Sequence, residues 1–289
     1  MRSGKGFIAA LDQSGGSTPK ALSLYGIGEN QYADEDQMFN LIHAMRARIM
    51  TSSVFTSQRI LAVILFEQTM NRSVDGLPTA QYLWEKKGII PFLKIDDGLA
   101  KENEGVQCMK PIPELHDRLA AAILHGIFGT KMRSVIKEFN PAGIQKLVQQ
   151  QFDVAYQIMA AGLIPIIEPE VDITSATKDR CEKFLNDELL LHLDKLSAEH
   201  HVMLKLTIPT LDNLYEEVAL HPRVLRVAAL SGGYTRDEAT QALRRNRRMI
   251  ASFSRALTEG LHVDQSPDEF DKKLDESIES IFTASVIKG

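Results

Sequence analysis

The stretch NPAGIQKLVQQQFDVAYQIMAAGLIPIIEPEV, residues 140–171, decides the fold because it holds one helix and the strand that follows it. Asn140 suits the cap position of a helix, and Pro141 suits the first turn, where no backbone N–H donor is needed. Apolar residues then recur at steps of three and four as far as Gly162, as they do on a helix that buries one face. The run after Gly162 is mostly apolar, which is typical of a strand buried on both faces. The stretch therefore predicts a helix packed against a parallel sheet.

The same alternation of apolar run and helical segment extends along the chain in both directions. The eight apolar runs span residues 6–12, 60–67, 89–96, 128–135, 163–171, 202–209, 224–233 and 249–257. Eight strand–helix units predict an α/β protein with a single closed (β/α)8 TIM barrel over residues 1–289, since this fold usually takes about 250 residues. A doubly wound open sheet is the alternative, but no G-x-G-x-x-G follows the first run, where a dinucleotide-binding sheet would carry it.

Composition limits which binding partners and which cellular location we expect. The 33 Lys and Arg and the 38 Asp and Glu residues give a formal net charge of −5, with both signs interspersed. We therefore expect no nucleic-acid partner and no membrane partner, and the apolar run at residues 60–66 is too short to cross a bilayer. Cys108 and Cys181 form no C-x-x-C pair, which argues against a disulfide framework or a structural zinc site. The sequence predicts a cytoplasmic protein and leaves a homo-oligomer open.

Charged residues lie at the carboxyl ends of the predicted strands, where barrels of this kind carry their chemistry. Four of them follow one another at intervals of 37 residues: Lys94, Lys131, Glu168 and Lys205. We expect this spacing to return each unit to the same height in the barrel. The residues two positions further along share three of these strand faces: Asp96, Arg133 and Glu170. Burying an unpaired charge costs several kcal/mol, so such a layer requires that its charges compensate one another or bind a ligand.

Each of these residues also has a simple structural explanation. A lysine in a strand is usually a surface residue, and Asp12 before a serine could be only a helix cap. Chance would have to place a polar group at the same end of several strands, however. A functional site is therefore the better interpretation of the set.

The charged layer suits imine chemistry. A partly buried lysine beside other cations favours its neutral amine, which attacks ketones and forms a Schiff base. Lys205, in the run VMLKLTIP, is the candidate. Its protonated imine would accept the electron pair of a neighbouring carbon–carbon bond as that bond breaks. Glu168 and Asp12 supply two carboxyl groups for separate proton transfers.

Two groups of small polar residues flank this layer and suit phosphate binding. The first group follows the seventh run, the usual phosphate site of this fold, and comprises Ser231, Gly232 and Gly233, with Arg255 in the eighth run. The second group follows the first run and comprises Ser14, Gly15, Gly16 and Ser17, with Lys94 on the third strand. The sequence therefore predicts a small-molecule substrate with a phosphate at each end.

Seven ordered motifs run through nearly the whole chain: ALDQSGGS, FLKIDDG, KMR, IIEPE, LKLTIP, LSGG and FSRAL. In this combination the sequence resembles class I fructose-1,6-bisphosphate aldolase, and its bacterial branch in particular. The resemblance implies reversible cleavage of fructose 1,6-bisphosphate to dihydroxyacetone phosphate and glyceraldehyde 3-phosphate, in glycolysis and gluconeogenesis. It also implies that the reaction uses no metal and no other cofactor.

The resemblance implies a role for each motif residue. Lys205 would form the Schiff base, Glu168 would be the principal acid and base, and Asp12 would take the hydroxyl proton of the sugar. Lys131 would polarise the substrate near its carbonyl, and Glu170 would orient the neighbouring lysines. The 1-phosphate site would comprise Ser231, Gly232 and Arg255. The 6-phosphate site would comprise Ser14, Ser17 and Lys94, with Arg133 nearby.

The sequence departs from the animal and plant members at three points. Gln13 stands where they have Glu, and Met132 stands where they have Trp. Those members also end in a tail with a terminal tyrosine, whereas the last tyrosine here is Tyr234. Proton exchange at the enamine carbon would then need another base, for which Glu168 or a bound phosphate is the candidate.

Three other functions fit parts of the pattern. A zinc-dependent aldolase would need a histidine-rich site, but the eight histidines fall mostly in predicted helices and loops. A transaldolase or a deoxyribose-phosphate aldolase would share the lysine but needs only one main phosphate site. A binding protein would need the cations, but it has no requirement for Lys205 to face Glu168 and Asp12.

Overall fold

Eight parallel strands pair side by side into a closed barrel, and the computed structural model describes all of residues 1–289. The barrel strands are β1 (Phe7–Leu11), β2 (Ile60–Leu65), β5 (Ile90–Lys94), β7 (Gly129–Ile136), β8 (Ile164–Val171), β9 (Val202–Thr207), β10 (Val224–Leu230) and β11 (Met249–Phe253). Pairing of β5 with β7 and of β1 with β11 closes the ring. The predicted (β/α)8 barrel is confirmed, and the alternative of an open sheet is wrong.

Helices follow the strands and form the outer layer. They are α1 (Thr18–Leu24), α2 (Glu35–Thr51), α3 (Glu67–Met70), α4 (Thr79–Glu85), α5 (Leu115–Leu124), α6 (Pro141–Ala160), α7 (Lys178–Leu193), α8 (Glu216–Leu220), α9 (Arg236–Arg244), α10 (Arg255–Thr258) and α11 (Pro267–Val286), with a 3-10 turn at Glu29–Gln31. Three short strands complete the structure: β3 (Ser73–Val74) and β4 (Leu77–Pro78) form a hairpin, and β6 (Val106–Gln107) pairs antiparallel with β7. None of the helices is both long enough and apolar enough to span a membrane.

The helix predicted from residues 140–162 is confirmed. Asn140 caps it, since its Oδ1 accepts a hydrogen bond from the backbone N–H of Gly143 at 3.0 Å. Pro141 occupies the first turn, and Gly162 follows the helix with φ of 82°, a conformation that glycine adopts without strain.

Six of the eight barrel strands end before the apolar runs that predicted them, and in three of these polar residues beyond the strand end read like part of the strand. Glu67 begins α3 instead of ending β2, and Ser231 to Gly233 form a turn after β10. Arg255 was expected within the eighth strand, but it is the first residue of α10, two residues beyond β11. The strand directions still bring all three segments to the same end of the barrel.

The barrel interior is apolar in its lower part and charged above. Nine buried side chains from seven strands fill the lower part: Ile8, Ala10, Ala62, Ile64, Phe92, Ile166, Met203, Ala228 and Ile250. A second and larger apolar cluster lies between the strands and the helices. Two residues beyond Ile166 and Met203 on the same strand faces stand Glu168 and Lys205. The apolar layer thus lies directly below the charged residues and closes the base of the cavity.

The expectation of equal heights at 37-residue intervals is only partly right. The strand register pairs Lys94 with Lys131, but it pairs Lys131 with Ile166, so Glu168 lies two residues further along its strand. Equal spacing in sequence does not give equal register, because the tilted strands of a closed barrel are staggered relative to one another. The long side chain of Lys131 spans the difference.

Candidate active site

A cavity of roughly 330 Å³ opens at the carboxyl end of the barrel. Five charged residues on the barrel strands or just beyond them line it: Asp12, Lys94, Lys131, Glu168 and Lys205. Ser14, Ser17, Arg133 and Arg255, all predicted as phosphate ligands, line it too. Its walls come from parts of the chain as far apart as residue 12 and residue 258, and only barrel closure brings these together.

Two lysines and two carboxylates form a contiguous chain of ion pairs at the base of the cavity. Lys205 Nζ lies 2.9 Å from Glu168 Oε1, and Lys131 Nζ lies 3.0 Å from Glu168 Oε2. Lys131 Nζ also lies 2.7 Å from Asp12 Oδ2. All four side chains are at least nine-tenths buried. Glu168 Oε2 has no hydrogen-bond partner of good geometry, so this oxygen keeps a free acceptor position.

The electrostatics of the pairs fix which groups are charged. Burial alone would raise the pKa of Asp12, but the charges of Lys131 and Lys205 outweigh burial and hold that pKa well below its usual range. Burial alone would lower the pKa of Lys131, but Asp12, Glu168 and Asp96 outweigh it and raise that pKa well above its usual range. Asp12 and Lys131 therefore remain an ion pair at neutral pH.

The surroundings of Lys205 differ from the sequence expectation. We expected neighbouring cations to favour the neutral amine, but Lys205 faces the carboxylate of Glu168 at 2.9 Å. The buried charges on the inner wall instead each contact a side chain of opposite sign, which offsets the cost of burying them. Glu168 is thus placed to exchange a proton with the amine directly.

The backbone is adapted around Glu168. The ladder between β8 and β9 includes Ile166 and Ile167 but stops before Glu168. Gln151 of α6 replaces the missing bond: its Oε1 accepts from the N–H of Glu168 at 2.9 Å, and its Nε2 donates to Ser134 Oγ at 2.5 Å. Beyond this gap Thr207 Oγ1 bonds both the N–H and the carbonyl of Val171. A helix side chain therefore fixes the strand position of the central carboxylate.

Two further ion pairs border the cavity. Lys94 Nζ lies 2.7 Å from Asp96 Oδ1, and Asp96 Oδ2 accepts from the N–H of Arg133 at 3.2 Å. Burial would raise the pKa of Asp96, but Lys131 and Lys94 outweigh it and lower that pKa. Arg133 Nε donates to Glu170 Oε2 at 2.6 Å. Glu170 contacts this arginine, and no direct ion pair joins it to a lysine.

Only one of the two predicted phosphate loops lines the cavity. Ser14 and Ser17 line the cavity, in a turn where Ser17 Oγ accepts from the N–H of Ser14 at 3.1 Å. Ser231, Gly232 and Gly233 lie beside it: a Cβ on Gly233 would come within 3.5 Å of Arg255 Nη2. Both glycines have positive φ, 60° and 128°, and a Cβ on Gly232 would come within 2.7 Å of Ile173. This loop therefore depends on glycine at both positions.

Sequence reasoning missed several residues that line the cavity. They are Gln13, Lys20, Ala21, Leu24, Ser254 and Thr258. Gln13 and Ser254 stand next to predicted residues and could have been found by extending the motifs by one position. Lys20, Ala21 and Leu24 lie on α1, whose first turn faces the cavity; nothing in the sequence distinguishes them from surface residues. No histidine lines the cavity, whereas a zinc-dependent aldolase would place histidines there.

A lysine in contact with a buried carboxylate, in the cavity at the carboxyl end of a (β/α)8 barrel, is an arrangement suited to imine formation. Comparison with known proteins specifies the class further. The chain belongs to the class I fructose-bisphosphate aldolase family, since residues 1–214 match the family described as glycolytic fructose-bisphosphate aldolase class-I. The resemblance predicted from the seven motifs is confirmed.

Relatives cover the whole chain. A fructose-bisphosphate aldolase class 1 from Synechocystis sp. is 60% identical over 286 residues, which are 99% of this chain and 95% of that protein. The fold is similar to that of Plasmodium falciparum fructose-bisphosphate aldolase, crystallised with TRAP and a small-molecule inhibitor (TM-score 0.72, 20% identity, 100% of this chain and 93% of that one). It is also similar to a Corynebacterium glutamicum protein (TM-score 0.58, 13% identity, 99% and 86%). The two structures support the fold.

Proposed function

We propose that this protein cleaves fructose 1,6-bisphosphate reversibly to dihydroxyacetone phosphate and glyceraldehyde 3-phosphate through a Schiff base on Lys205, in glycolysis and gluconeogenesis. The observation that carries the proposal is the contact between Lys205 Nζ and Glu168 Oε1 at 2.9 Å, in a cavity that Ser14, Ser17, Arg133 and Arg255 also line. Membership of the aldolase family indicates the substrate, and the contact between Lys205 and Glu168 indicates the imine chemistry.

Imine formation begins when the neutral amine of Lys205 attacks the ketone carbon. Glu168 accepts a proton from the ammonium across the 2.9 Å contact and later returns one to the departing hydroxyl, so that one water molecule leaves as the C=N bond forms. Lys131 stays positively charged beside both carboxylates and stabilises negative charge that develops on the oxygen.

Cleavage of the carbon–carbon bond follows on the protonated imine. Asp12 remains ionised because Lys131 and Lys205 lower its pKa, so it accepts the proton of the substrate hydroxyl. That oxygen then forms the aldehyde carbonyl, and the electron pair of the broken bond moves to the iminium to give an enamine. Protonation of the enamine carbon and hydrolysis release the second product. For that proton we propose Glu168 or the bound phosphate as the donor.

Binding of the two phosphates falls to the two loops. The 1-phosphate contacts Ser231, Gly232, Gly233 and Arg255. The 6-phosphate contacts Ser14, Ser17 and Lys94, with Arg133 nearby. Glu170 orients Arg133 through its 2.6 Å contact. The reaction uses no metal and no cofactor.

We propose further that residues 1–289 act as one catalytic domain, that the protein works in the cytoplasm, and that it binds neither nucleic acid nor membranes. Its formal net charge of −5 supports the last point. A homo-oligomer is compatible with the barrel, whose outer helices leave several large apolar side chains exposed, among them Trp84 and Leu124.

Borohydride trapping tests the proposal. The protein is mixed with dihydroxyacetone phosphate in EDTA, reduced, and mapped by mass spectrometry; we expect one covalent adduct, on Lys205. In Lys205→Met the adduct disappears and turnover falls on the order of 10⁵-fold, while the bisphosphate still binds. Lys137→Met is the control, since Lys137 pairs with Asp172 outside the cavity. Cleavage that EDTA abolishes, with no adduct, would point to the metal route instead, and neither adduct nor cleavage would favour a binding protein.

A further inference from the structure

Arg46 of α2 is a fully buried arginine that the proposed chemistry does not use. The hydrogen-bond partners of its guanidinium, Thr69 and Gln13, are uncharged, and its Nε has no hydrogen-bond partner. Burial lowers the pKa of Arg46 to about 9, although the nearby charge of Asp12 opposes the change, so the group stays charged at neutral pH. Burying a cation without an ion-pair partner reduces the stability of the fold, so the position of Arg46 next to the cavity residue Gln13 needs an explanation.

Arg46 donates hydrogen bonds to Gln13, a residue that lines the cavity. Its Nη2 donates to the backbone carbonyl of Gln13 at 2.5 Å and to Gln13 Oε1 at 3.1 Å. Its Nη1 donates to Thr69 Oγ1 at 2.7 Å. Gln13 is therefore held at two atoms by one guanidinium group, which fixes both its backbone and the direction of its side chain.

The amide of Gln13 continues the connection across the barrel. Its Nε2 donates to Ser254 Oγ at 2.7 Å, so residues 241 positions apart in sequence are joined by a side-chain bond. Gln13 directly precedes Ser14 in the loop after β1, and Ser254 directly precedes Arg255 after β11. These loops carry the groups that we assign to opposite ends of the substrate. Gln13 and Ser254 both line the cavity, so the bond joins the two loops at the cavity wall.

We propose that Arg46, Gln13 and Ser254 form a bridge that sets the distance between the two anion-binding loops and so favours ligands that carry two phosphates. The three are positioning residues, since they act through the loops that carry Ser14 and Arg255. The bridge matters for a ligand that engages both loops at once and much less for one that engages a single loop. This inference takes the identity of the sugar phosphates from the proposed function. What it states about the protein itself is a preference for a ligand with two phosphates over a ligand with one.

Binding of two non-cleavable hexitols tests the bridge without any need for turnover. Calorimetry gives the Kd of hexitol 1,6-bisphosphate and of hexitol 1-phosphate for the wild type, Gln13→Ala, Ser254→Ala and the double variant. We expect the preference for the bisphosphate to fall about fivefold to tenfold in each single variant, with little further loss in the double variant, because either change breaks the same bond. Arg46→Lys, which keeps the charge but not the two-point hold on Gln13, should give an intermediate preference.

Ser280→Ala is the matched control, a serine on α11 with no side-chain hydrogen bond, and it should leave the preference unchanged. A preference that is unchanged in Ser254→Ala and Gln13→Ala overturns the bridge. Losses that add in the double variant overturn it too, because they mean that each residue contacts the ligand independently. If the wild type binds both hexitols but cleaves no sugar phosphate, the proposed function fails while the preference still decides the inference.

Discussion

Lys131 is the residue on which the charge balance of the cavity depends, because it contacts two carboxylates at once. Asp12 lies 2.7 Å and Glu168 3.0 Å from its Nζ. A buried carboxylate on its own would be protonated at neutral pH, and a proton-accepting Asp12 has to be ionised. The lysine thus maintains the charge state that bond cleavage requires, in addition to any contact with the substrate.

Replacing Lys131 with Met should shift the pH dependence of catalysis. In the wild type the lowered pKa of Asp12 keeps this group ionised, and its ion pair intact, until the pH falls below the ordinary carboxyl range. Without Lys131, burial dominates and the pKa of Asp12 rises. The acid limb of the profile of kcat/KM should then move up by at least about one pH unit. Lys94→Met is the control, since Lys94 affects Asp12 least among these lysines. An unmoved acid limb, or equal shifts in both variants, would contradict this account.

At the scale of elements, helix α6 packs on the outside of the barrel and positions strand β8, which carries Glu168. The strands β8 and β9 carry Glu168 and Lys205, and their ladder stops between Ile167 and Glu168. A gap in a buried ladder leaves backbone groups without partners, which is costly. Gln151, fully buried on α6, fills the gap by accepting from the N–H of Glu168. The packing of a helix on the sheet therefore determines the position of a catalytic side chain.

Gln151→Leu should reduce both stability and catalysis. It leaves the N–H of Glu168 unpaired in the core, at a cost of about 1–3 kcal/mol in the free energy of unfolding. The misplaced carboxylate should lower kcat about tenfold or more. Gln150→Leu on the same helix is the matched control, because Gln150 bonds the backbone of Met109 away from the cavity. Urea unfolding and steady-state kinetics measure the two effects. Equal kcat values in the two variants would mean that Gln151 has only a structural role.

At the scale of the whole molecule, the last helix ties the two ends of the chain together. Strand β1 pairs with β11, and α11 lies over this seam. Arg59, just before β2, contacts Asp275 at 2.5 Å and Glu279 at 3.2 Å on α11. Ser52 Oγ donates to Asp271 at 2.6 Å. These contacts attach the last helix to the segment before β2, and none of their residues lines the catalytic cavity.

Arg59→Ala should therefore separate stability from function. We expect a loss of about 1 kcal/mol in the free energy of unfolding, since the arginine is partly buried but its partners are half exposed. The value of kcat/KM should stay the same. Lys183→Ala removes an exposed pair with Asp179 at 3.9 Å and should change neither quantity. Reduced kcat/KM in Arg59→Ala, at temperatures where the protein is folded, would show that barrel closure affects the site.

The sequence predicted the barrel because strands buried on both faces read as nearly continuous apolar runs, and helices on their surface read as amphipathic segments. The strand ends were less accurate. Ser231 and Arg255 were read into strands, because a polar residue at a strand end and one in the following loop look the same along the chain. The charged residues at the strand ends could also be found, since a lysine within an apolar strand such as Lys205 stands out.

The bridge through Arg46 and Gln13 could not be read from the sequence. An arginine on an amphipathic helix is normally exposed, so nothing marked Arg46 as buried. Arg46 bonds Thr69, 23 positions further along the chain, and Gln13 bonds Ser254 across 241 positions. Hydrogen bonds over such separations have no periodicity that a sequence pattern could show.

By itself, the sequence determined the eight strand–helix units, the end of the barrel at which the chemistry lies, and the motifs of the aldolase family, because local periodicity and strand direction suffice for these. Only the tertiary structure decided which charges meet. It paired Lys205 with Glu168, and Lys131 with both Glu168 and Asp12. The physical reason is that an ion pair in contact needs its nitrogen and oxygen atoms within about 4 Å, and only the closed barrel brings residues from different strands that close.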